Sequence, residues 1–335
     1  MELSEDELVA AIRTVLSGDQ PGVVLGIGDD AAVLEPGTGE SVLTTDMLIE
    51  GIHFERDAIS PRDLGIKAIA VNVSDVAAMA ASPRYALASI GLTPDLQAAW
   101  VIELYAGMRQ ACDEYALALV GGDTNRSGAI VVSVTVVGEV APGRAVTRSG
   151  AQAGDVLVVT GSLGAAAGGL VLSRLSGPAA TRALSEPWAR ELLEALSRPV
   201  ARVGEAQTLA QAGATSMIDL SDGLAKDLSR LCAESGVGAT VALADVPVAE
   251  PLRLGAATLG VDPLELAIGG GEDYELLATL DLTDVERARQ ELDERFGVPL
   301  TEVGVIVEGA GPVAVHTDGR TSPLEPRGWD HFAHG

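Results

Sequence analysis

Acidic residues recur in this chain beside small ones, at Gly28-Asp29-Asp30, Thr44-Thr45-Asp46, Val73-Ser74-Asp75, Gly121-Gly122-Asp123, Asp219-Leu220-Ser221-Asp222-Gly223 and Gly270-Gly271-Glu272-Asp273. Several close a run of apolar or β-branched residues, which predicts a carboxylate at the end of a strand. Carboxylates gathered in one place repel each other and lose hydration, so such a set calls for cations. Hard oxygen ligands suit Mg2+, which usually shares its shell with phosphates. These residue types point to metal-dependent work on a phosphate.

Each motif also has a plainer reading. Gly26-Ile27-Gly28-Asp29-Asp30-Ala31 formally matches the dinucleotide fingerprint. Its two acids stand where a pyrophosphate would approach, and a strand rather than a helix is predicted next. A metal-bearing loop, a Gly/Asp turn and a dinucleotide site all stay open there. Thr44-Thr45-Asp46 is a metal shell or a Thr/Asp turn. Asp75 lies in an apolar helical stretch, residues 68–79, where burial demands a partner, either an arginine or a metal. Gly121 and Gly122 allow close backbone approach to phosphate, or mark a turn before the next strand. Ser221 or Asp222 would serve as an ordinary N-cap, a role compatible with phosphate at the helix start. His53 reads as a ligand or a surface histidine, and Trp329 as a stacking platform or a terminal anchor. A P-loop is excluded, because the only lysines, Lys67 and Lys226, follow Ile66 and Ala225 rather than glycine. The protein-kinase motif set and a nucleophile elbow are also missing.

The elements that must carry these residues alternate. A capping box at Ser4 and Glu7 opens a helix bearing Leu8, Ile12 and Leu16. Strands are predicted at 31–34 and 42–47 across the Pro36-Gly37-Thr38-Gly39 turn. A helix follows from Ser60-Pro61 to about 81, a strand at 85–92, a helix from Pro94 to about 115, and a strand at 130–140. Around 141–154 the texture turns to Pro, Gly, Arg and Ser, a domain junction. The second half has strands at 156–160, 216–220, 239–248, 274–280 and 302–307. Its helices are predicted from a glycine-punctuated start after 161, at 187–211, 223–235 and 284–296. Alternating strands and long helices in both halves give an α+β class, with domains at 1–145 and 146–335.

Composition narrows the partners. With 335 residues, two domains are expected. A hydrophobic fraction of 47% supplies real cores, and an aromatic fraction of 3% means that Ala, Val and Leu must build them. A net charge of −26 excludes nucleic acid and anionic membrane surfaces as partners. An anionic nucleotide remains possible if divalent ions neutralise it. Cys112 and Cys232 give neither a disulfide framework nor metal-ligand spacing. The acidic start lacks a signal-type apolar region, and no apolar run reaches spanning length, so a cytoplasmic protein is expected.

Taken as an ordered set, the acidic motifs resemble the thiamine-monophosphate kinase family. So do Gly51-Ile52-His53-Phe54, Lys67-Ala68 with Asn72-Val73-Ser74-Asp75, Thr147-Arg148-Ser149-Gly150, Gly270-Gly271-Glu272-Asp273-Tyr274-Glu275-Leu276 and Gly328-Trp329-Asp330-His331-Phe332. The resemblance runs from about residue 3 to 332. It implies an N-terminal four-stranded sheet with helices, two copies of which pair into a barrel across a homodimer, followed by a C-terminal α/β sandwich domain. It implies ATP-dependent phosphorylation of thiamine phosphate to thiamine diphosphate, by direct in-line transfer with several Mg2+ ions. Carried over by motif, Asp30, Thr44, Thr45, Asp46, Asp75, Asp123, Asp219 and Asp222 would hold metal. Tyr105, Gly121, Gly122, Arg148 and Ser221 would contact ATP, and His53, Glu272 and Trp329 would bind thiamine phosphate. The related alternatives are enzymes like aminoimidazole ribonucleotide synthetase or selenophosphate synthetase. Outside that superfamily stand a non-catalytic metal-stabilised protein, which would turn over no ATP, and a nicotinamide-dependent oxidoreductase, which would bind its cofactor without Mg2+.

Overall fold

The structure is a computed structural model that describes residues 5–18, 20–27 and 31–328. Asp29, Asp30 and Trp329 lie outside the described residues. The chain divides into two compact units. One comprises the described residues of Met1–Val76 together with Ala81–Ala145, the other Ala77–Ala80 with Val146–Gly335. No helix among the described residues is long and apolar enough to cross a membrane.

The first unit contains α1 (Glu5–Val15), β1 (Val23–Leu25), β2 (Val33–Leu34), β3 (Glu40–Ile49), α2 (Pro61–Ala78, whose last two residues belong to the second unit), β4 (Ser82–Leu92), α3 (Ala98–Glu114), β5 (Ala118–Arg126) and β6 (Val131–Val140). The main sheet runs β3-β6-β4-β5, antiparallel except for the parallel β4/β5 pair. Residues of β6 alternate between buried and half-buried, so Val132, Val134 and Val136 form the inner face. From residue 64 to 78, α2 is buried at every position but Asp75, which explains why its sequence shows almost no polar face.

Three expectations change here. The 36–39 turn does not join a hairpin: β2 pairs with β1 in a separate two-stranded sheet, and β3 pairs with β6. The helix after Pro94 begins only at Ala98. Gly121, Gly122 and Asp123 are not a turn but lie within β5. A glycine inside a strand usually weakens it. Here a Cβ on Gly122 would sit 1.9 Å from the Ala88 carbonyl oxygen, so the closeness of β4 to β5 requires glycine.

The second unit contains β7 (Val156–Thr160), α4 (Ala165–Ser173), α5 (Gly177–Ala183), α6 (Pro187–Ser197), α7 (Val203–Gln211), β8 (Ser216–Asp219), α8 (Leu224–Ser235), β9 (Gly238–Ala242), α9 (Glu250–Leu259), α10 (Pro263–Gly269), β10 (Leu276–Leu280), α11 (Leu282–Phe296), β11 (Leu300–Val307), β12 (Gly311–Val315) and β13 (Thr321–Pro323). Its seven strands run β13-β12-β9-β11-β7-β10-β8. Helices cover both faces. Leu157 and Val159 of β7 join a core with Leu192, Leu228 and Leu252 of α6, α8 and α9. Val156 and Val158 join another with Leu209 of α7 and Val285 and Leu292 of α11. All five β7 residues are therefore buried, and the strand reads as an unbroken apolar run. The strand predicted at 239–248 is shorter, since the chain turns into a 3-10 segment at Leu243–Asp245.

Candidate functional site

In the first unit the acidic motifs lie on the sheet and on α2. Strand register sets Asp46, Val134, Ala88 and Gly122 in one row across all four strands. The next row is Met47, Ser133, Ser89 and Asp123. Asp46 is fixed through its backbone: its N–H donates to Asn72 Oδ1 at 2.8 Å, and Asn72 Nδ2 donates to the Ala68 carbonyl at 3.0 Å. Thr44 Oγ1 donates to Asp75 Oδ2 at 2.6 Å, so a hydroxyl from β3 meets the half-buried carboxylate of α2. Thr45 Oγ1 donates to the Val134 carbonyl and accepts from Thr135 Oγ1. Asp123 is exposed and accepts from Asn125 Nδ2 and the Thr124 N–H. Tyr105 on α3 is buried beside it. Burial pushes its phenol up to about 12, Asp123 adds to the rise, and a hydrogen bond with Thr124 opposes it.

His53 sits in the turn after β3. Its Nδ1 accepts the Ile49 N–H at 3.1 Å, which leaves the proton of the neutral ring on Nε2. Close by in sequence, Arg56 holds Glu50 by two bonds and also reaches Asp95 and Thr93, while Glu50 accepts the Ile130 N–H. Hydrogen bonding to Arg56 holds the Glu50 carboxyl below its ordinary range, against desolvation.

In the second unit three motif segments converge. β8 and β10 continue pairing past their ends: Leu220 N donates to the Glu275 carbonyl, Tyr274 N to the Leu220 carbonyl and Glu272 N to the Ser221 carbonyl, at 2.8–2.9 Å. Backbones approach so closely that a Cβ on Gly271 would lie 2.5 Å from the Ser221 oxygen. One on Gly328 would lie 2.5 Å from the Asp222 oxygen. Ser221, Asp222, Glu272 and the residue before Trp329 thus share one locality. Glu272 and Tyr274 hold φ of +67° and +51°, a conformation that side chains disfavour and that clusters at functional sites.

The loop is fastened from beneath. Arg202 Nε and Nη2 grip Glu275 at 2.8 and 2.6 Å, and Thr160 Oγ1 donates to Glu275 at 2.6 Å. Burial raises the Glu275 carboxyl, and Arg202 opposes it. Asp273 accepts the Gly164 N–H at the start of α4. Desolvation still pushes its carboxyl well above the usual range.

Neither Ser221 nor Asp222 caps α8. The N-cap is Gly223, and the caps come from within the helix: Asp227 Oδ2 accepts the N–H groups of Asp222 and Gly223 at 3.0 and 3.1 Å. Arg230 bridges Asp227 and Asp222, at 2.7 and 2.6 Å, and Lys226 Nζ lies 3.0 Å from Asp222. Asp219, at the end of β8, is buried. Arg148 is exposed on the segment after Val146.

The donor set is oxygen throughout, which fits Mg2+. Among the described residues, no three His, Cys, Asp or Glu side chains stand close enough together to hold a metal ion. Asp222 fits least directly, because Lys226 and Arg230 already neutralise it.

Sequence reasoning singled out the acids and passed over their supports. Arg202 and Asp227 give no local signal, because each works through a partner distant in the chain or a backbone group, and Asn72, though part of the motif ending at Asp75, was given no role of its own.

The described geometry has close relatives. Residues 28–140 match the AIR synthase related protein N-terminal domain, and residues 152–317 its C-terminal domain. Thiamine-monophosphate kinase of Aquifex aeolicus (strain VF5) is 38% identical over 331 residues, 99% of each chain. Thiamine-monophosphate kinase from Stenotrophomonas maltophilia K279a superimposes with a TM-score of 0.80 at 35% identity, covering 96% of this chain and 99% of that one. AaThiL complexed with AMPPCP and TMP superimposes with a TM-score of 0.76 at 35% identity, covering 99% and 98%.

Proposed function

The chain belongs to the thiamine-monophosphate kinase family, and we propose that it transfers the γ-phosphoryl group of ATP to thiamine phosphate, giving ADP and thiamine diphosphate. The observation that carries this reading is the end-to-end similarity to a protein solved with AMPPCP and TMP. It covers 99% of this chain and 98% of that one.

The acceptor is itself a phosphate, so its attacking oxygen is already anionic and needs little help from a general base. The demand on the protein is positioning and charge neutralisation. Mg2+, when bound, supplies that neutralisation. Asp30, Thr44, Thr45, Asp46, Asp75, Asp123, Asp219 and Asp222 would hold it. Asn72 holds the backbone of Asp46 in place for that task. Tyr105, Gly121, Gly122, Arg148 and Ser221 contact ATP. His53, Glu272 and Trp329 contact thiamine phosphate, with Glu272 held in its unusual backbone conformation by the anchored loop. Transfer is direct, with no phosphoenzyme. The working form is a cytoplasmic homodimer in which two four-stranded sheets close a barrel, a reading supported by the exposed apolar side chains on that sheet.

The test is ADP release with Mg2+ present, comparing thiamine phosphate with aminoimidazole precursors and selenide. Release only with thiamine phosphate, abolished by excess chelator, is the expected result. Turnover with either other substrate would move the chain to another branch of the superfamily. Unchanged activity in chelator would remove the metal ligands from the account.

A further inference from the structure

The segment that carries Arg148 is held by a side chain from the far end of α8. Ser235, half-buried as the last residue of that helix, donates from Oγ to the Arg148 carbonyl at 2.9 Å. The same oxygen accepts the N–H groups of Gly150 and Ala151, each at 3.2 Å. One hydroxyl thus meets three consecutive-turn backbone groups, using its single proton and both lone pairs. Upstream, the segment is tied to the free edge of the sheet, where Met217 N of β8 donates to the Thr147 carbonyl at 3.0 Å. Within it, Thr147 Oγ1 donates to the Ser149 carbonyl at 2.7 Å. The exposed Arg148 therefore projects from a backbone fixed on both sides. On its downstream side, three of the fixing bonds depend on one atom.

We propose that Ser235 is a positioning residue for nucleotide binding: its hydroxyl sets the backbone of residues 148–151 so that Arg148 is presented to the phosphates of ATP in one orientation. The inference rests on the assignment of Arg148 to ATP. Arginine loses long-chain rotamer freedom when it engages a phosphate, and a backbone already fixed reduces what else must be ordered on binding. An alanine at 235 leaves the carbonyl of Arg148 and the N–H of Gly150 to water, since both residues are exposed, and takes one partner from the N–H of the buried Ala151, so the loop gains freedom and the melting curve reads the cost to the fold.

The experiment compares Ser235→Ala, Arg148→Ala and the double variant, in the full chain. It reads the Kd for a non-hydrolysable ATP analogue with Mg2+ by calorimetry, both KM values, and the melting curve. Ser235→Ala should weaken analogue binding and raise the KM for ATP by about 3- to 10-fold, the scale of one net hydrogen-bond contribution. The KM for thiamine phosphate should stay within about 2-fold. The double variant should bind the analogue no worse than Arg148→Ala alone, because the two act through one contact. If Arg148→Ala weakens ATP binding and Ser235→Ala does not, the positioning role is overturned while the Arg148 assignment stands. If Arg148→Ala binds the analogue normally, the assignment itself falls, and the positioning role with it. A Ser235→Ala protein that melts earlier and loses both substrates in parallel would make Ser235 a structural residue only.

Discussion

Asp227 shows how a residue outside the chemistry can hold a site in shape. Its carboxyl is 0% exposed as a side chain, yet it is fully engaged, by two backbone N–H groups and by Arg230. Desolvation is the largest influence on it and pushes its pKa up to about 6, against the pull of Arg230 and of the Asp222 N–H. A carboxyl whose folded-state pKa lies above its unfolded value of about 3.9 binds protons more tightly in the folded state. Its contribution to stability is therefore complete below about pH 4 and is lost as pH rises through about 6. Asp227→Asn stays neutral at every pH. The stability of the variant relative to the parent should thus move in the variant's favour between pH 4 and 7, by roughly 1–3 kcal/mol at about 1.4 kcal/mol per pKa unit. Urea titrations of both proteins at four pH values measure that difference, and a flat or opposite trend would contradict the burial argument. The sequence shows Asp222 as the conspicuous acid of this turn and gives no sign of Asp227. An acid in the first turn of a helix is ordinary, and only the fold reveals that it turns back to cap the backbone before it.

Glycine placement controls the contact between α2 and α3. A Cβ on Gly107 would stand 1.9 Å from the Arg62 carbonyl oxygen, and one on Gly65 would stand 2.0 Å from that of Leu104. The two helix backbones touch where neither has a side chain. Alanine usually favours a helix over glycine by about 1 kcal/mol, but here it must force two backbones apart, at a cost of about 1–3 kcal/mol or more. Gly107→Ala should lower the melting temperature by roughly 2–12 °C. Since α2 carries Asn72 and Asp75, it should also lower ADP release beyond what the unfolded fraction explains. A variant as stable as the parent would mean that the helices separate freely. Elements with a strong period or a clear breaker were legible in the sequence: α2 from Ser60-Pro61, α11, β4, β6 and β7. β5 was not, because Gly121-Gly122 reads as a turn, and the closeness to β4 that makes glycine necessary is a tertiary fact. β2 was legible within the strand predicted at 31–34, but its partner β1 escaped, since a three-residue strand carries too few positions for any alternation to appear.

At the scale of the whole molecule, the four-stranded sheet of the first unit is unfinished. Its inner face is closed by Val132, Val134 and Val136 packing inward, while its outer face presents Leu43, Met47 and Leu87 at 65%, 49% and 44% exposure. Both edges are long: β3 has ten residues and pairs only with β6, and β5 has nine and pairs only with β4, among the described residues. A soluble chain rarely leaves large apolar side chains together on an open sheet whose edge strands also carry unpaired backbone groups. Two copies placed face to face would cover the apolar side chains, and closure into a barrel would satisfy the edges at the same time. The protein should therefore sediment at about twice the mass of one chain at micromolar concentration. Leu43→Glu combined with Leu87→Glu places four like charges in the paired interior and should yield a monomer. Because both positions are exposed in the single chain, circular dichroism of the variant should show the parent's secondary structure, which separates lost pairing from lost folding. Glutamate on the solvated face of a monomer costs little, whereas burial of an unpaired carboxylate in a dimer costs several kcal/mol. A parent that sediments as a monomer, or a double variant that remains dimeric, would exclude this face as the contact between copies.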